Sequence, residues 1–87
     1  MVVERKEKII IVDDDSEMRR ATRKILKSKG FRNFEEASQG EELIEKLKVF
    51  AADLILLDIS MPGMGGEKAL AWCKENYTDI PVVMITG

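Results

Sequence analysis

Three short apolar runs are the clearest pattern along this chain, and a polar residue stands at the end of each. The runs lie in Lys8–Val12, Leu54–Leu57 and Pro81–Thr86, and the polar residues are Asp13, Asp58 and Thr86. Because neighbouring residues of a strand face opposite sides of a sheet, an unbroken apolar run predicts a strand that is covered on both faces. A weaker run, Phe34–Ala37, predicts one more strand between the first two.

Helical spacing of apolar residues fills the intervals between these strands. In the first interval, Glu17–Lys29, the apolar stripe that we expect to face inward consists of Met18, Ala21, Thr22, Ile25 and Leu26. Ser16 is suited to cap this helix and Gly30 to end it.

Two further helices are indicated. The first should follow the capping-box residues Ser38 and Glu41, and the second should follow a loop that contains Pro62, Gly63, Gly65 and Gly66. Their expected inward positions are Leu43, Ile44, Leu47 and Phe50, then Ala69, Leu70, Cys73 and Tyr77. The resulting order, β-α-β-α-β-α-β, predicts right-handed crossovers and a parallel α/β sheet.

Composition narrows the class of protein. The 87 residues are 45% apolar and 34% charged with a net charge of −2, which is typical of one globular domain and gives no electrostatic reason to expect a nucleic-acid partner. One cysteine and no histidine exclude an internal disulfide, a Cys/His zinc site and a Cys/His nucleophile. With no apolar run of about 20 residues and no signal-peptide core, we expect a cytoplasmic protein without a membrane partner.

Basic residues concentrate on the first predicted helix. They are Arg19, Arg20, Arg23, Lys24, Lys27 and Lys29. We interpret them first as a solvated helix face, with partner docking as the alternative.

Acidic and hydroxyl side chains follow three of the predicted strands. Asp13 and Asp14 come after the first, Asp58 after the third, and Thr86 ends the last. In parallel α/β sheets, ligands bind beyond the carboxyl ends of the strands, where the strand order reverses. If the first and third strands are neighbours, three carboxylates converge and require a compensating cation. Such oxygen donors favour Mg²⁺, which combines a few carboxylates with water and phosphate oxygens.

Asp58 is the candidate nucleophile, because it stands alone at a strand end before a Pro- and Gly-rich loop. A carboxylate beside Mg²⁺ can attack phosphorus and form an aspartyl phosphate, and Thr86 would offer its hydroxyl to a phosphate oxygen. The alternative is that the acids are helix caps, since Asp14 or Asp15 could serve the first helix. The coincidence of several polar residues at strand ends favours a site.

These motifs resemble the receiver domain of two-component response regulators. The resemblance rests on Ile9–Asp15, Leu56–Gly66 and Pro81–Gly87, which read IIIVDDD, LLDISMPGMGG and PVVMITG. The acidic pair, the lone Asp with its Met-Pro-x-Met-x-Gly loop and the strand ending in Thr-Gly come in the family's order, and the likeness spans essentially the whole chain. Residues 16–33 are more loosely similar to single-domain chemotaxis regulators. The resemblance implies a flavodoxin-like doubly wound parallel sheet with strand order 2-1-3-4.

The resemblance also implies a role for each candidate residue. Asp58 becomes the phospho-acceptor, and Asp13 and Asp14 bind Mg²⁺ together with it. Ser60 contributes a backbone carbonyl to the metal, and Thr86 is the switch hydroxyl. The implied phosphoryl donor is a histidine kinase, and the implied function is a signalling domain with Mg²⁺-dependent self-phosphorylation chemistry and no other enzyme activity.

Receiver domains continue past the Thr-Gly position with a fourth helix, a fifth strand and a fifth helix, which carry a lysine for the phosphoryl group and an aromatic switch residue. We therefore expect residues 1–87 to be one partial receiver domain of reduced switching competence. Because its fourth strand would be an open edge, we also expect self-association or a complementing C-terminal fragment.

Other function classes remain open. A non-phosphorylated interaction or dimerisation module would keep the fold and the acids without the chemistry. A haloacid-dehalogenase-like phosphohydrolase also uses a strand-end Asp with Mg²⁺, but its nucleophile follows the first strand in an Asp-x-Asp pattern with far more chain around it. A nucleotide-binding α/β protein is disfavoured, because no Gly-rich phosphate loop follows the first strand.

Overall fold

Helices and strands alternate along the residues that the computed structural model describes, 5–58 and 65–85. The elements are β1 (Arg5–Val12), α1 (Ser16–Ser28), β2 (Phe31–Ala37), α2 (Gly40–Leu47), β3 (Leu54–Asp58), α3 (Gly65–Asn76) and β4 (Val82–Ile85). The predicted order of elements is confirmed. None of the helices in these ranges is long and apolar enough to cross a membrane.

Some element bounds differ from the sequence prediction. β1 and β2 begin at Arg5 and Phe31, because these two residues pair with each other in a charged, exposed extension that carries no apolar pattern. The structure also places Gly65 and Gly66 in α3, so the prediction that both lie in the preceding loop was wrong.

In the described part of the chain, the sheet has four parallel strands in the order β2-β1-β3-β4. This is the predicted order. β1 lies between β2 and β3, with Val12 opposite Ala37 on one side and opposite Leu57 on the other. The strand order therefore reverses between β1 and β3, and this is the position at which parallel α/β sheets bind their ligands.

The main core lies between the sheet and the pair α2 and α3. Its buried members are Ile10, Val12, Ala37, Leu43, Leu47, Ala52, Ile55, Leu57, Ala69 and Cys73. Each fully buried Ile or Leu side chain stabilises the fold by about 1.5–3 kcal/mol relative to exposure. The prediction that Cys73 is a small core residue is confirmed, and its burial raises the pKa of its thiol.

α1 begins and ends at polar signals, one of which differs from the prediction. Asp15, and not Ser16, caps the helix: its Oδ1 accepts hydrogen bonds from the backbone N–H of Glu17 (2.9 Å) and of Met18 (3.4 Å). Gly30 follows the C-cap with a φ of 99°. Glycine adopts this left-handed conformation without steric cost, so the predicted helix end is confirmed.

The predicted capping box of α2 is not formed, because the N-cap is Gln39 and its side chain makes no capping hydrogen bond. The helix begins at Gly40, and Glu42 rather than Glu41 reaches back to Ser38. Glu42 Oε1 accepts from the Ser38 backbone N–H at 2.6 Å and from its hydroxyl at 3.0 Å. The backbone hydrogen bond is the largest cause that lowers the pKa of Glu42.

α1 faces the sheet differently from the prediction. Met18, Ala21 and Ile25 are exposed, and no residue of the helix is fully buried. The side chains turned toward the sheet instead include Arg19 and Arg23. The expected inward stripe was therefore wrong at its three exposed positions.

Two ion pairs join α1 to β2 in this orientation. Arg19 Nε lies 3.1 Å from Glu36 Oε1, and Arg23 Nη1 lies 2.9 Å from Glu36 Oε2. The solvated interpretation was thus wrong for these two arginines, while the other basic residues of the cluster are exposed as predicted: Arg20, Lys24, Lys27 and Lys29.

Replacing Glu36 by Gln tests the link between α1 and β2. Burial alone would raise the pKa of Glu36, but hydrogen bonds from Arg23 and Arg19 outweigh it and hold the pKa below its ordinary value of 4.5. The pairing therefore stabilises the fold above that pH, and the stabilisation is lost as the pH falls through the lower folded-state pKa. We expect Glu36→Gln to lower the free energy of unfolding at neutral pH by up to about 1 kcal/mol.

Denaturant melts from neutral to acidic pH measure this effect. The difference between the wild type and Glu36→Gln should shrink on the acid side. Glu7→Gln is the control, since Glu7 is exposed on β1. A difference that stays constant at all pH values would contradict the expectation.

Candidate metal and phosphoryl-acceptor site

Three carboxylates meet where β1 and β3 end. Since Val12 lies opposite Leu57 in parallel register, the residues that follow, Asp13 and Asp58, leave the sheet at the same edge. One carboxylate oxygen from each of Asp13, Asp14 and Asp58 lies within 4.8 Å of the others. The structure thus brings together the three acids singled out from the sequence.

Two other candidate residues cannot be placed. Ser60 and Thr86 lie outside the described residues, so their roles stay predictions. β4 is described up to Ile85, which pairs with Asp58.

The three acids differ in exposure. Asp58 is only 8% exposed and is the last residue of β3, so its backbone belongs to the sheet. Asp13 is half-buried and Asp14 is exposed. The site therefore combines a buried carboxylate on a rigid strand with an exposed one on the loop after β1.

Burial and the neighbouring acids together raise the pKa of Asp13. Burial raises the pKa of Asp13, and the charges of Asp58 and Asp14 and a hydrogen bond with Asp58 raise it further. A hydrogen bond from the Asp15 backbone N–H to Asp13 Oδ1 (3.0 Å) acts in the opposite direction. Carboxylates this close favour a bound cation, and oxygen-only donors suit Mg²⁺, so the residues fit this metal.

The loop that carries two of these acids is held from several sides. We call residues Asp13, Asp14 and Asp15 the acidic loop. The Asp13 N–H donates to the Ala37 carbonyl of β2 at 3.0 Å, and Arg19 Nη1 donates to the Asp13 carbonyl at 2.6 Å. The helix cap at Asp15 fixes the other end of the loop.

Sequence reasoning missed Arg19 as part of the site. Arg19 and Arg20 are adjacent basic residues on one helix, and nothing in the sequence separates the inward from the outward one. The sequence allows Asp14, Asp15 or Ser16 as the N-cap of α1. The position of Asp15, two residues before Glu17, is the signal that favours it.

Comparison with models of protein families matches residues 9–87 to the response regulator receiver domain. The chain belongs to this family. Receiver domains are the phosphorylation-dependent signalling modules of two-component systems, so the resemblance inferred from the motifs is confirmed.

A curated relative supports the same assignment. The transcriptional regulatory protein YvrH of Bacillus subtilis is 37% identical to this receiver over 79 residues, which is 91% of this chain and 33% of YvrH. The chain spans about a third of the length of the curated relatives it matches.

Solved receiver structures have the same fold. A CheY-like receiver domain protein from Methanospirillum hungatei superposes with a TM-score of 0.88 at 30% identity, covering 95% of this chain and 66% of that one. Response regulator TrrA of Thermotoga maritima, solved in complex with Mg(2+)-BeF, gives 0.87 at 29% identity over 92% of this chain and 69% of TrrA. The predicted flavodoxin-like fold is confirmed.

Neutralising Asp58 should stabilise this receiver when no metal is bound. Removing one of three converging charges relieves repulsion of roughly 1 kcal/mol, so Asp58→Asn should raise the thermal midpoint in EDTA. Added Mg²⁺ should raise the midpoint of the wild type more than that of the variant.

Thermal melts with EDTA and with Mg²⁺ measure both effects. Asp79→Asn is the matched control, because Asp79 is exposed in the turn before β4. Equal midpoints for the wild type and Asp58→Asn in EDTA, followed by equal shifts with Mg²⁺, would show that the three carboxylates do not form a site.

Proposed function

We propose that this receiver accepts a phosphoryl group on Asp58, with a histidine kinase as the donor. The observation that carries the proposal is the meeting of oxygens from Asp13, Asp14 and Asp58 within 4.8 Å at the carboxyl ends of β1 and β3. Membership of the receiver family supports the same reaction class.

Asp58 is the nucleophile of the proposed reaction. One of its carboxylate oxygens forms a bond to phosphorus, while the bond between phosphorus and the imidazole nitrogen of the donor phosphohistidine breaks. The leaving imidazole nitrogen keeps the electron pair of that bond and takes up a proton from solvent. The low exposure of Asp58 supports this role, because limited access of water slows hydrolysis of an acyl phosphate.

The remaining residues hold the reacting groups. Asp13 and Asp14, with Asp58 and the Ser60 carbonyl, would bind Mg²⁺, which supplies positive charge against the phosphoryl oxygens. Thr86 would donate its hydroxyl to one of those oxygens. TrrA, a receiver of similar fold, is solved in complex with Mg(2+)-BeF, which supports Mg²⁺ as the cation.

Beryllofluoride and acetyl phosphate test the proposal directly. In the presence of Mg²⁺, the wild type should gain the mass of one phosphoryl group from acetyl phosphate and should bind beryllofluoride. Asp58→Asn should do neither, because the attacking carboxylate is gone, whereas Asp79→Asn should behave as the wild type. Intact-protein mass spectrometry and calorimetry measure the two readouts.

A wild type that is folded, as judged by circular dichroism, and forms no adduct with either reagent would overturn the proposal. That result would instead favour the interaction module. A mass increase that persists in Asp58→Asn would reject Asp58 as the acceptor while leaving the reaction class in place.

Exposed apolar surface favours self-association as a second property. Met18 is 50%, Ile25 61% and Val83 48% exposed. Val82 and Met84 pack against the core between the sheet and α2 and α3, so Val83 points to the opposite face of the sheet, on the side of α1. Apolar residues exposed on β4, at the edge of the described sheet, and on α1 invite pairing with a second copy.

Sedimentation velocity over a range of concentrations measures this tendency. We expect the wild type to shift toward larger species as the concentration rises, and we expect Val83→Lys to reduce the shift by placing a charge on β4. Val49→Lys is the matched control, since Val49 is 87% exposed after α2. A wild type that stays monomeric at all concentrations would contradict self-association.

A further inference from the structure

We propose that Arg19 is a positioning residue, which holds the acidic loop in the geometry that binds a divalent cation and is itself anchored by Glu36. The inference rests on the proposed function, because it concerns the metal site of the phospho-acceptor. Arg19 would touch neither the cation nor the phosphoryl group. It acts on the peptide that joins Asp13 to Asp14.

The guanidinium of Arg19 bridges the loop and the sheet. Its Nη1 donates to the Asp13 carbonyl at 2.6 Å and its Nε donates to Glu36 Oε1 at 3.1 Å. The side chain is only 18% exposed although it belongs to a surface helix. A planar guanidinium offers several donors in fixed directions, so it can satisfy both partners at once.

These bonds determine the orientation of one peptide unit. The Asp13 carbonyl and the Asp14 N–H belong to the same rigid plane, because the peptide bond does not rotate freely. Ala37 holds Asp13 from one side through its N–H, and Arg19 holds it from the other through its carbonyl. The orientation of this plane sets the direction in which the chain continues from Asp13 to Asp14, the exposed acid of the site.

Glu36 is a firm anchor for Arg19. It lies on β2 and pairs with Ile11 of β1, so its backbone is fixed by the sheet. Its second carboxylate oxygen accepts from Arg23 Nη1 at 2.9 Å. Arg19 and Arg23 thus use different oxygens of Glu36, and the sheet, rather than Arg23, fixes the backbone of the residue that anchors Arg19.

Because Arg19 is charged, the direction in which its removal changes Mg²⁺ affinity tests the inference. A cation bonded to the acidic loop opposes the binding of a second cation there, so charge alone predicts that removal of Arg19 strengthens Mg²⁺ binding. Positioning predicts the reverse, because the loop loses the bond that orients Asp14. The two roles give opposite changes in the dissociation constant.

Arg23 provides a matched control. It lies on the same helix, pairs with the same Glu36 and carries the same charge, and its guanidinium packs over the ring of Phe34. Among the described residues Arg23 donates to Glu36 Oε2, whereas Arg19 donates both to Glu36 and to the Asp13 carbonyl of the acidic loop. Arg23→Met therefore removes a charge and an α1 contact with β2 without releasing the Asp13 carbonyl.

The experiment measures the Mg²⁺ dissociation constant of the 87-residue chain by calorimetry at fixed ionic strength, with circular dichroism to show that each variant is folded. We expect Arg19→Met to weaken binding by about tenfold, in the range known for residues that orient metal ligands. Arg19→Lys should weaken it similarly, because an ammonium keeps the charge but loses the fork geometry. The Mg²⁺ dissociation constant of Arg23→Met should stay within about twofold of the wild-type value, well below the change expected for a residue that orients metal ligands.

A second measurement covers variants that fold poorly. Glu36→Gln leaves Arg19 in place and weakens its anchor, so the rise in thermal midpoint on adding Mg²⁺ should be smaller than in the wild type. The inference is overturned if Arg19→Met or Glu36→Gln binds Mg²⁺ as tightly as the wild type or more tightly. An equal loss in Arg23→Met would also overturn it, since the effect would then come from helix docking.

The outcomes separate this inference from the proposed function. A folded wild type that does not bind Mg²⁺ overturns both. A wild type that binds Mg²⁺ and is phosphorylated on Asp58, together with an unchanged Arg19→Met, overturns only the role of Arg19.

Discussion

The parallel pairing of β1 with β3 is the constraint on which the site depends. The chain leaves β1 to form β2 on one side and later returns to place β3 on the other. The carboxyl ends of β1 and β3 therefore become neighbours where the strand order reverses. Asp58 follows Leu57 at this boundary as Asp13 follows Val12. The buried Ile and Leu residues of both strands hold the register, and a slip of one residue would turn the acids away from each other.

Repulsion among the three acids of the site opposes the stabilisation that the apolar core provides. Three acids close together destabilise the metal-free chain, and the chain tolerates them because the core is built from other residues on the face covered by α2 and α3. The loop bonds from Ala37 and Arg19 keep Asp13 in place despite the repulsion. Stability and chemistry thus rest on different surfaces of the same two strands.

Much of this could be predicted from the sequence, because apolar runs and the residues that end them are local signals. The strands and the placing of Asp13 and Asp58 at strand ends follow from such signals. The strand order that brings Asp13, Asp14 and Asp58 together comes from the resemblance to receiver domains. The rotation of α1 could not be predicted in this way. Met18 and Ile25 suggested an apolar inward stripe, but in the structure Arg19 and Arg23 lie on the side of α1 that faces β2, where both pair with Glu36.

The capping residues show the same limit at short range. Ser38 with either Glu41 or Glu42 satisfies a loose capping pattern, and the exact start of α2 decides between them. Asp15 and Ser16 compete in the same manner at the start of α1. Patterns of residue type locate such a helix start to within a residue, while hydrogen-bond geometry selects the capping group.

The incomplete burial of α1 has a consequence for how the protein opens locally. Asp58 belongs to β3, which lies between two strands and against the main core, whereas the acidic loop depends in part on α1, a helix without a fully buried residue. Segments with little buried apolar surface open at a lower free-energy cost than core strands. The two halves of the site therefore belong to units of different local stability. A ligand that bridges them would join these units into one cooperative unit and suppress the opening of the weaker half.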